Sequence, residues 1–227
     1  MKFTRKFDFR SDLIFNNLNI KELNLVKEVQ EKLRFNKGDK LFYEDGVPTG
    51  VFQLIEGKVK KYKTVLDNQE QIIYIYTKND LFGHHALLSS ERYQDTSEAL
   101  EDITVNFISK ENFLMLLDKI PQLKDALLEN ISHEFGVLAN TIAVLAQKSQ
   151  NIRLSLFLMV LQKRFASKDA NSKGVDITRE DLANIIGTSR ESLSRSLNYL
   201  KKEKLITIEK KVIVVLNEEL MEYFIKK

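Results

Sequence analysis

The sequence predicts an α+β chain. An antiparallel sandwich or roll of short strands comes first, a long helix follows, and a helix-turn-helix with a β-hairpin closes the chain. Three observations carry this reading: β-branched and aromatic runs between turn residues from Val29 to Ser109, a heptad-like apolar pattern after Pro121, and two closely spaced helix starts after Ile177.

The runs "KLFYEDG", "VFQLIEG", "KVKKYKTV", "EQIIYIY" and "ITVNFIS" are strand-like and end at "NKGD", "EDG", "EG", "LDNQ" and "KND". Strands at roughly ten-residue intervals argue for antiparallel packing. Gly38, Gly46, Gly57 and Gly83 are read as turn glycines with positive φ.

After Pro121, which suits a helix's first turn, Leu128, Ile131, Phe135, Leu138, Ile142 and Leu145 recur with steps of 3, 4, 3, 4 and 3. That average of about 3.5 is a coiled-coil seam. Leu127, Ala139 and Ala146 widen it, while Glu129, Glu134 and Lys148 lie off it. These residues are expected to pair two copies of the chain. A second helix, "NIRLSLFLMVLQKRFA", follows, and "SKDANSKG" is the one clearly polar connector.

In "ITREDLANIIGTSRESLSRSLNYLKKEKLI", Thr178 and Thr188 each precede a carboxylate, Asp181 and Glu191, by three residues. That is capping-box spacing, so short helices should start near residues 179 and 189 with Gly187 taking a left-handed turn between them. Ala183 allows close crossing, and Leu182, Ile186, Leu193 and Leu197 supply a shared core. On a wheel of 100° per residue, Arg190, Lys201, Ser194, Asn198, Glu191, Lys202 and Arg195 fall within about 140° of one another. Leu193, Leu197 and Leu200 take the other side. One face docks; the other offers long polar side chains of the kind that read base edges in a DNA major groove. Arg190, Glu191, Ser194 and Arg195 are the candidate base readers. Thr178, Arg179, Thr188, Ser189, Asn198, Lys201, Lys202, Lys210 and Lys211 are candidate phosphate contacts, the last two at the lysine turn of a hairpin wing in "LITIEKKVIVVLN".

Bulk properties agree. Residues 151–227 hold 15 Lys/Arg against 10 Asp/Glu, while residues 1–150 hold 20 against 22. A basic last third on a mildly acidic body suits a polyanionic partner. At 227 residues the chain has room for one large or two modest domains. With no cysteine, disulfides, cysteine-ligated zinc and iron–sulfur clusters are excluded. Asp8 and Asp12 interrupt any signal-peptide core, and the longest apolar run, "LSLFLMVL", is too short to span a bilayer. A cytoplasmic protein without a membrane partner is expected.

On these motifs the chain resembles the bacterial Crp/Fnr family of transcription regulators over nearly its whole length. "FNKGDKLFYEDGVPTGVFQLIEGKVKKYKT" is similar to the opening of the family's cyclic-nucleotide-binding β-roll, and the seam helix to its dimerisation helix. The residues 177–206 resemble its winged helix. The resemblance implies a β-roll sensor domain over residues 1–117, a coiled-coil dimerisation helix over 118–150 and a winged helix-turn-helix DNA-binding domain over 151–227. It also implies a homodimer on a near-palindromic double-stranded DNA site, with RNA polymerase and a small-molecule effector as further candidate partners. Arg190, Glu191 and Arg195 fit the cyclic-AMP branch, and Glu191, Ser194 and Arg195 the oxygen-sensing branch. The half-site therefore stays open between TGTGA-like and TTGAT-like elements.

The family's nucleotide cassette is degenerate here. In "LFGHHALLSSERYQDTSEALED", after Gly83, His84 replaces the ribose-binding Glu, and Tyr93 and Gln94 stand where Arg-Ser/Thr belongs. Arg92 is one residue out of place, and in a strand such a slip reverses the face. A cyclic-nucleotide-responsive regulator is thus the alternative to one with another effector or none. A haem sensor would draw on His84 or His85, which on a strand would face opposite ways. From another class, a small-molecule-binding roll or a cupin-like enzyme would need a His and carboxylate metal triad. Only His84, His85 and His133 exist, so no metal site, cofactor or catalytic residue is expected.

Overall fold

The computed structural model describes residues 4–65, 69–168 and 174–226. Residues 66–68 of the turn "LDNQ" and most of the connector "SKDANSKG" lie outside the described residues. The chain forms two compact units: Phe9–Phe135, and the segment ending at Asp8 together with the chain from Gly136.

In the first unit the β-branched and aromatic runs pair as strands β1 (Glu31–Phe35), β2 (Lys40–Phe42), β3 (Gly50–Glu56), β4 (Val59–Thr64), β5 (Glu70–Tyr76), β6 (Leu81–Phe82), β7 (Thr96–Ala99) and β8 (Ile103–Ser109). Two antiparallel four-stranded sheets result, ordered β1-β8-β3-β6 and β2-β7-β4-β5. Gly57, at φ 92, turns the chain from one sheet to the other. The left-handed residue expected at Gly46 is instead Asp45, at φ 64. An aspartate tolerates that conformation through its short polar side chain. Gly46 serves a different need, since a Cβ there would lie 2.9 Å from the Tyr43 carbonyl oxygen.

Helices α1 (Ile20–Glu28), α2 (His84–Ser89), α3 (Lys110–Lys119) and the start of α4 (Pro121–Gln147) complete this unit. Asn19 and Glu22 form a reciprocal capping box on α1. Ile14, Val26, Val51, Leu81, Ile108, Phe113, Leu116, Ile120, Leu123 and Leu127 make one core. Leu127 therefore belongs to the roll and does not widen the seam. A second buried cluster is aromatic: Phe42 stacks on Tyr93 at 3.9 Å, and Tyr76 and Phe52 stack on Phe82.

The other unit holds the end of α4, α5 (Gln150–Lys168), α6 (Arg179–Ile186), α7 (Arg190–Lys202), β9 (Ile206–Glu209), β10 (Val212–Val215) and α8 (Glu218–Lys226). Arg153 donates to the Leu145 carbonyl at 3.1 Å, satisfying an acceptor left over where α4 ends. The N-terminal segment is fastened by an Asp8–Arg164 ion pair and by Asn140 donating to the Lys6 carbonyl at 3.2 Å. No described helix is long and apolar enough to cross a membrane.

Gly50 opens β3 where the sheet is tightest. A Cβ there would lie 2.2 Å from the Ile108 carbonyl oxygen and 2.5 Å from the Phe107 ring. Gly50→Ala should therefore destabilise the roll by about 1–3 kcal/mol, the usual cost of overpacking, read as a lowered urea midpoint for the transition that exposes the Tyr62 and Tyr76 rings.

Candidate nucleic-acid interface and sensor pocket

Local chemistry fixes both helices of the helix-turn-helix. Thr178 takes extended backbone and accepts from the Asp181 N–H at 3.0 Å, capping α6. Gly187, at φ 64 and ψ 59, ends α6 in the left-handed region. The cap of α7 is Ser189, accepting from the Ser192 N–H at 3.2 Å, and not Thr188. Thr188 instead donates to Gln150 Oε1 at 3.0 Å, and Gln150 Nε2 donates to Ser196 Oγ at 2.8 Å. One glutamine at the start of α5 thus holds both the turn and α7. Nothing in the local pattern marks Gln150, because its partners lie 38 and 46 residues away.

On α7 the expected division of faces is present. Leu193, Leu197 and Leu200 are buried, while Arg190, Glu191, Ser194, Arg195, Asn198, Lys201 and Lys202 are exposed. Thr178, Ser189, Lys210 and Lys211 are also exposed; Arg179 and Thr188 are half-buried. Lys210 and Lys211 form the two-residue turn between β9 and β10, with Lys210 at φ 57. Ser194 donates back to the Arg190 carbonyl at 3.0 Å, and Arg195 donates to Ser192 Oγ at 2.6 Å. Hydrogen bonds from its own backbone N–H and from the Ser189 hydroxyl hold the Glu191 carboxyl below its ordinary pKa, with Arg195 and Arg190 adding to the effect. An ionised, acceptor-only carboxylate between two guanidinium forks is a donor and acceptor pattern suited to base edges. Tyr199, exposed on the same helix and near the Phe224 ring, was not anticipated.

In the roll, Gly83 at φ 88 turns the chain out of β6 and directly into α2. His84 and His85 are consequently helical, not strand residues on opposite faces. Their rings stack at 4.2 Å. Burial drives the His84 imidazole down to about 3, and burial with the Lys61 charge does the same for His85. Both are neutral at physiological pH, so the 2.8 Å approach of His85 Nε2 to Glu134 Oε2 is not an ion pair between charged partners. Arg92 is exposed and donates to the Asp45 carbonyl at 2.7 Å; Gln94, also exposed, donates to Glu91 at 2.6 Å. Tyr93 is buried on Phe42, and its hydroxyl donates to the Gly50 carbonyl at 3.2 Å. No guanidinium among these residues points inward.

Of the seam on α4, Leu128, Phe135 and Ile142 are 67%, 76% and 66% exposed, and Ile131, Leu138 and Leu145 are half-buried. Glu134, which lies off the seam, is only 2% exposed. The seam pattern counts apolar residues alone and so cannot see a polar side chain on the inner face.

Two family models match the chain: a cyclic nucleotide-binding domain over residues 32–119 and a Crp-like helix-turn-helix domain over residues 152–224. The probable transcriptional regulator flp of Lacticaseibacillus casei is 30% identical over 211 residues, covering 93% of this chain and 94% of the relative. The fumarate and nitrate reduction regulatory protein of Vibrio cholerae is 28% identical over 209 residues, covering 90% and 83%. Among solved structures, FixK2 from Bradyrhizobium japonicum superposes with a TM-score of 0.76 at 21% identity, covering 86% of this chain and 96% of that one.

The cap assignment has a direct check. Ser189→Ala should cost about 1 kcal/mol of helical-unit stability, measured by denaturant unfolding. Thr188→Val should leave the N-terminal amides of α7 as protected from hydrogen exchange as in the wild type.

Proposed function

The chain belongs to the Crp/Fnr family of DNA-binding transcription regulators, and from that premise we propose that it binds a near-palindromic DNA site as a homodimer. One observation carries the proposal: Arg190, Glu191, Ser194 and Arg195 are all exposed on a helix whose opposite leucines are buried. Two such helices in a symmetric pair would enter successive major grooves about 34 Å apart. Arginine forks would donate to guanine O6 and N7, and Glu191 would accept from a cytosine amino group. Lys201, Lys202, Lys210 and Lys211, with Thr178, Arg179, Thr188, Ser189 and Asn198, would set register on the phosphates without choosing sequence. The half-site remains either TGTGA-like or TTGAT-like.

We assign residues 1–117 to sensing, 118–150 to pairing and 151–227 to DNA binding, in a cytoplasmic regulator with no catalytic step. RNA polymerase is the partner through which such a protein would activate. The apolar stripe Leu128, Phe135 and Ile142 supports pairing with a second copy, because a helix exposing large side chains at heptad spacing matches an identical stripe. The roll is read as a sensor that has lost cyclic-nucleotide recognition. A cyclic phosphate needs a charge-assisted partner, and Arg92 is directed outward to Asp45 while Tyr93 takes the inner position.

Selection of bound sequences from random duplexes should return a two-fold symmetric site, and Arg195→Ala should reduce preference for it over a scrambled duplex by about tenfold to a hundredfold. Equal wild-type binding to specific and scrambled duplexes at moderate salt would refute the reading. Phe135→Asp should shift the protein from dimer to monomer in sedimentation equilibrium and weaken specific binding with it. An unchanged mass would remove the seam from the interface.

A further inference from the structure

Of the buried side-chain polar atoms left unsatisfied among the described residues of the roll, four meet at one place, while Ser97 Oγ and Asn130 Oδ1 lie outside that group. His84 is fully buried and Glu134 almost so. Among the described residues, neither ring nitrogen of His84 and neither carboxylate oxygen of Glu134 has a hydrogen-bond partner. Four orphaned atoms in one spot are unusual, because buried polar groups are nearly always paired. His85 completes the group. Its Nε2 lies 2.8 Å from Glu134 Oε2 without the alignment of a hydrogen bond, as two lone-pair carriers facing a common partner would. One donor atom from each of the three residues lies within 4.8 Å of the others.

We propose that His84, His85 and Glu134 form a binding site for one first-row divalent transition-metal ion, held by two imidazole nitrogens and a carboxylate oxygen. This donor set suits zinc or iron(II) and leaves at least one coordination position for solvent or a further ligand. Bonds of about 2.0–2.2 Å imply ligand–ligand edges of about 3.4 Å in a tetrahedral site. The His85–Glu134 edge, at 2.8 Å, is shorter than that, and the other donor atoms lie within 4.8 Å. The ion would also give the buried Glu134 oxygens a partner. Lys61, a cation that acts on Glu134, is already paired with Asp95 at 3.0 Å. His85, with 37% of its side chain exposed, gives the ion a path from solvent.

The signal is not local in sequence. His84 and His85 come from the helix that Gly83 starts, and Glu134 comes from α4, fifty residues on. An ion here would tie α2 to α4 one residue before Phe135 of the exposed stripe. The site stands independently of DNA binding, and its test does not use DNA.

The full-length chain, stripped with a chelator, is titrated with Zn²⁺ and separately with Co²⁺, whose d–d absorption reports nitrogen and oxygen coordination. The expected result is one ion per chain at micromolar affinity or tighter, with a thermal midpoint that rises with metal concentration. Glu134→Gln and His85→Ala should each weaken binding by about a hundredfold or more, since even outer partners of a metal site contribute 10–100-fold. His133→Ala should bind as the wild type does. Glu134→Gln preserves volume and removes a buried charge, so its metal-free midpoint should not fall. If that variant fails to fold, the partly exposed His85 decides the question alone. Absence of saturable binding, or variants at His85 and Glu134 that bind like the wild type, would overturn the site.

Discussion

The rotation of α4 about its own axis, set where it packs on the roll, is the constraint on which the roll's polar cluster and the exposed stripe depend. Leu123, Leu127, Asn130, Glu134 and Val137 are all buried, with steps of 4, 3, 4 and 3. The outer stripe, Leu128, Ile131, Phe135, Leu138 and Ile142, repeats the same steps one or more residues on. Two heptad stripes share one helix, separated by about 100°. The inner stripe is anchored where Leu123 and Leu127 enter the core with Leu116, Ile120 and Phe113. Each such leucine is worth about 2–5 kcal/mol against truncation, so the helix cannot roll to hide its outer stripe. Phe135 and its neighbours remain exposed because the roll has already claimed the other face. The same anchoring fixes where Glu134 must go, and Asn130 follows it inward, donating to the Phe9 carbonyl at 2.9 Å.

How much of this was legible in sequence depends on how local each interaction is. The helix-turn-helix could be read almost completely, because caps, the left-handed Gly187 and the division of leucine and arginine faces act within four residues. Even there the cap was misplaced by one residue: Thr188 and Ser189 are both good caps, and the choice was made by Gln150, far away in the chain. In the roll, β3, β4, β5 and β8 announce themselves through β-branched and aromatic residues. By contrast, β1 reads "EKLRF" and β7 reads "TSEA", without such a signal. Their strand character comes from the neighbours they pair with: β8 for β1, and both β2 and β4 for β7. His84 and His85 were misread for a related reason. A strand ending at Phe82 and a glycine at φ 88 turn them onto a helix, where adjacent side chains can converge.

Buried charge shows a further difference between what pattern and structure reveal. Lys60 lies between Glu70 at 2.6 Å and Glu98 at 3.4 Å, and Lys61 pairs with Asp95. Asp80 accepts from the Thr77 N–H at 2.6 Å and from the Ser11 hydroxyl at 2.9 Å. Arg164 pairs with Asp8. Removing one member of such a set leaves an uncompensated charge at a cost of about 3–5 kcal/mol, so these groups are retained as sets. Glu134 departs from the pattern, as a carboxylate in the interior with two oxygens and no hydrogen-bond donor among the described residues.

That departure lies on the helix whose rotation is fixed, beside two imidazoles that burial keeps neutral. A low-dielectric site penalises an unanswered polar group more heavily than water does, and so a chain that tolerates one there must stabilise it by other means. The leucines of α4 supply that tolerance by holding the helix in place whatever occupies the space between α2 and Glu134. The arrangement separates two roles along a single helix. Leu123 and Leu127 bury apolar side chains in the core, whereas the next turns bury the polar Asn130 and Glu134, followed immediately by the exposed Phe135. Elsewhere in the roll, Tyr93 is buried against Phe42 and Arg92 is directed to the Asp45 carbonyl, so the polar atoms without partners lie on other elements. His84 and Glu134 bring four of those atoms together where α2 meets α4.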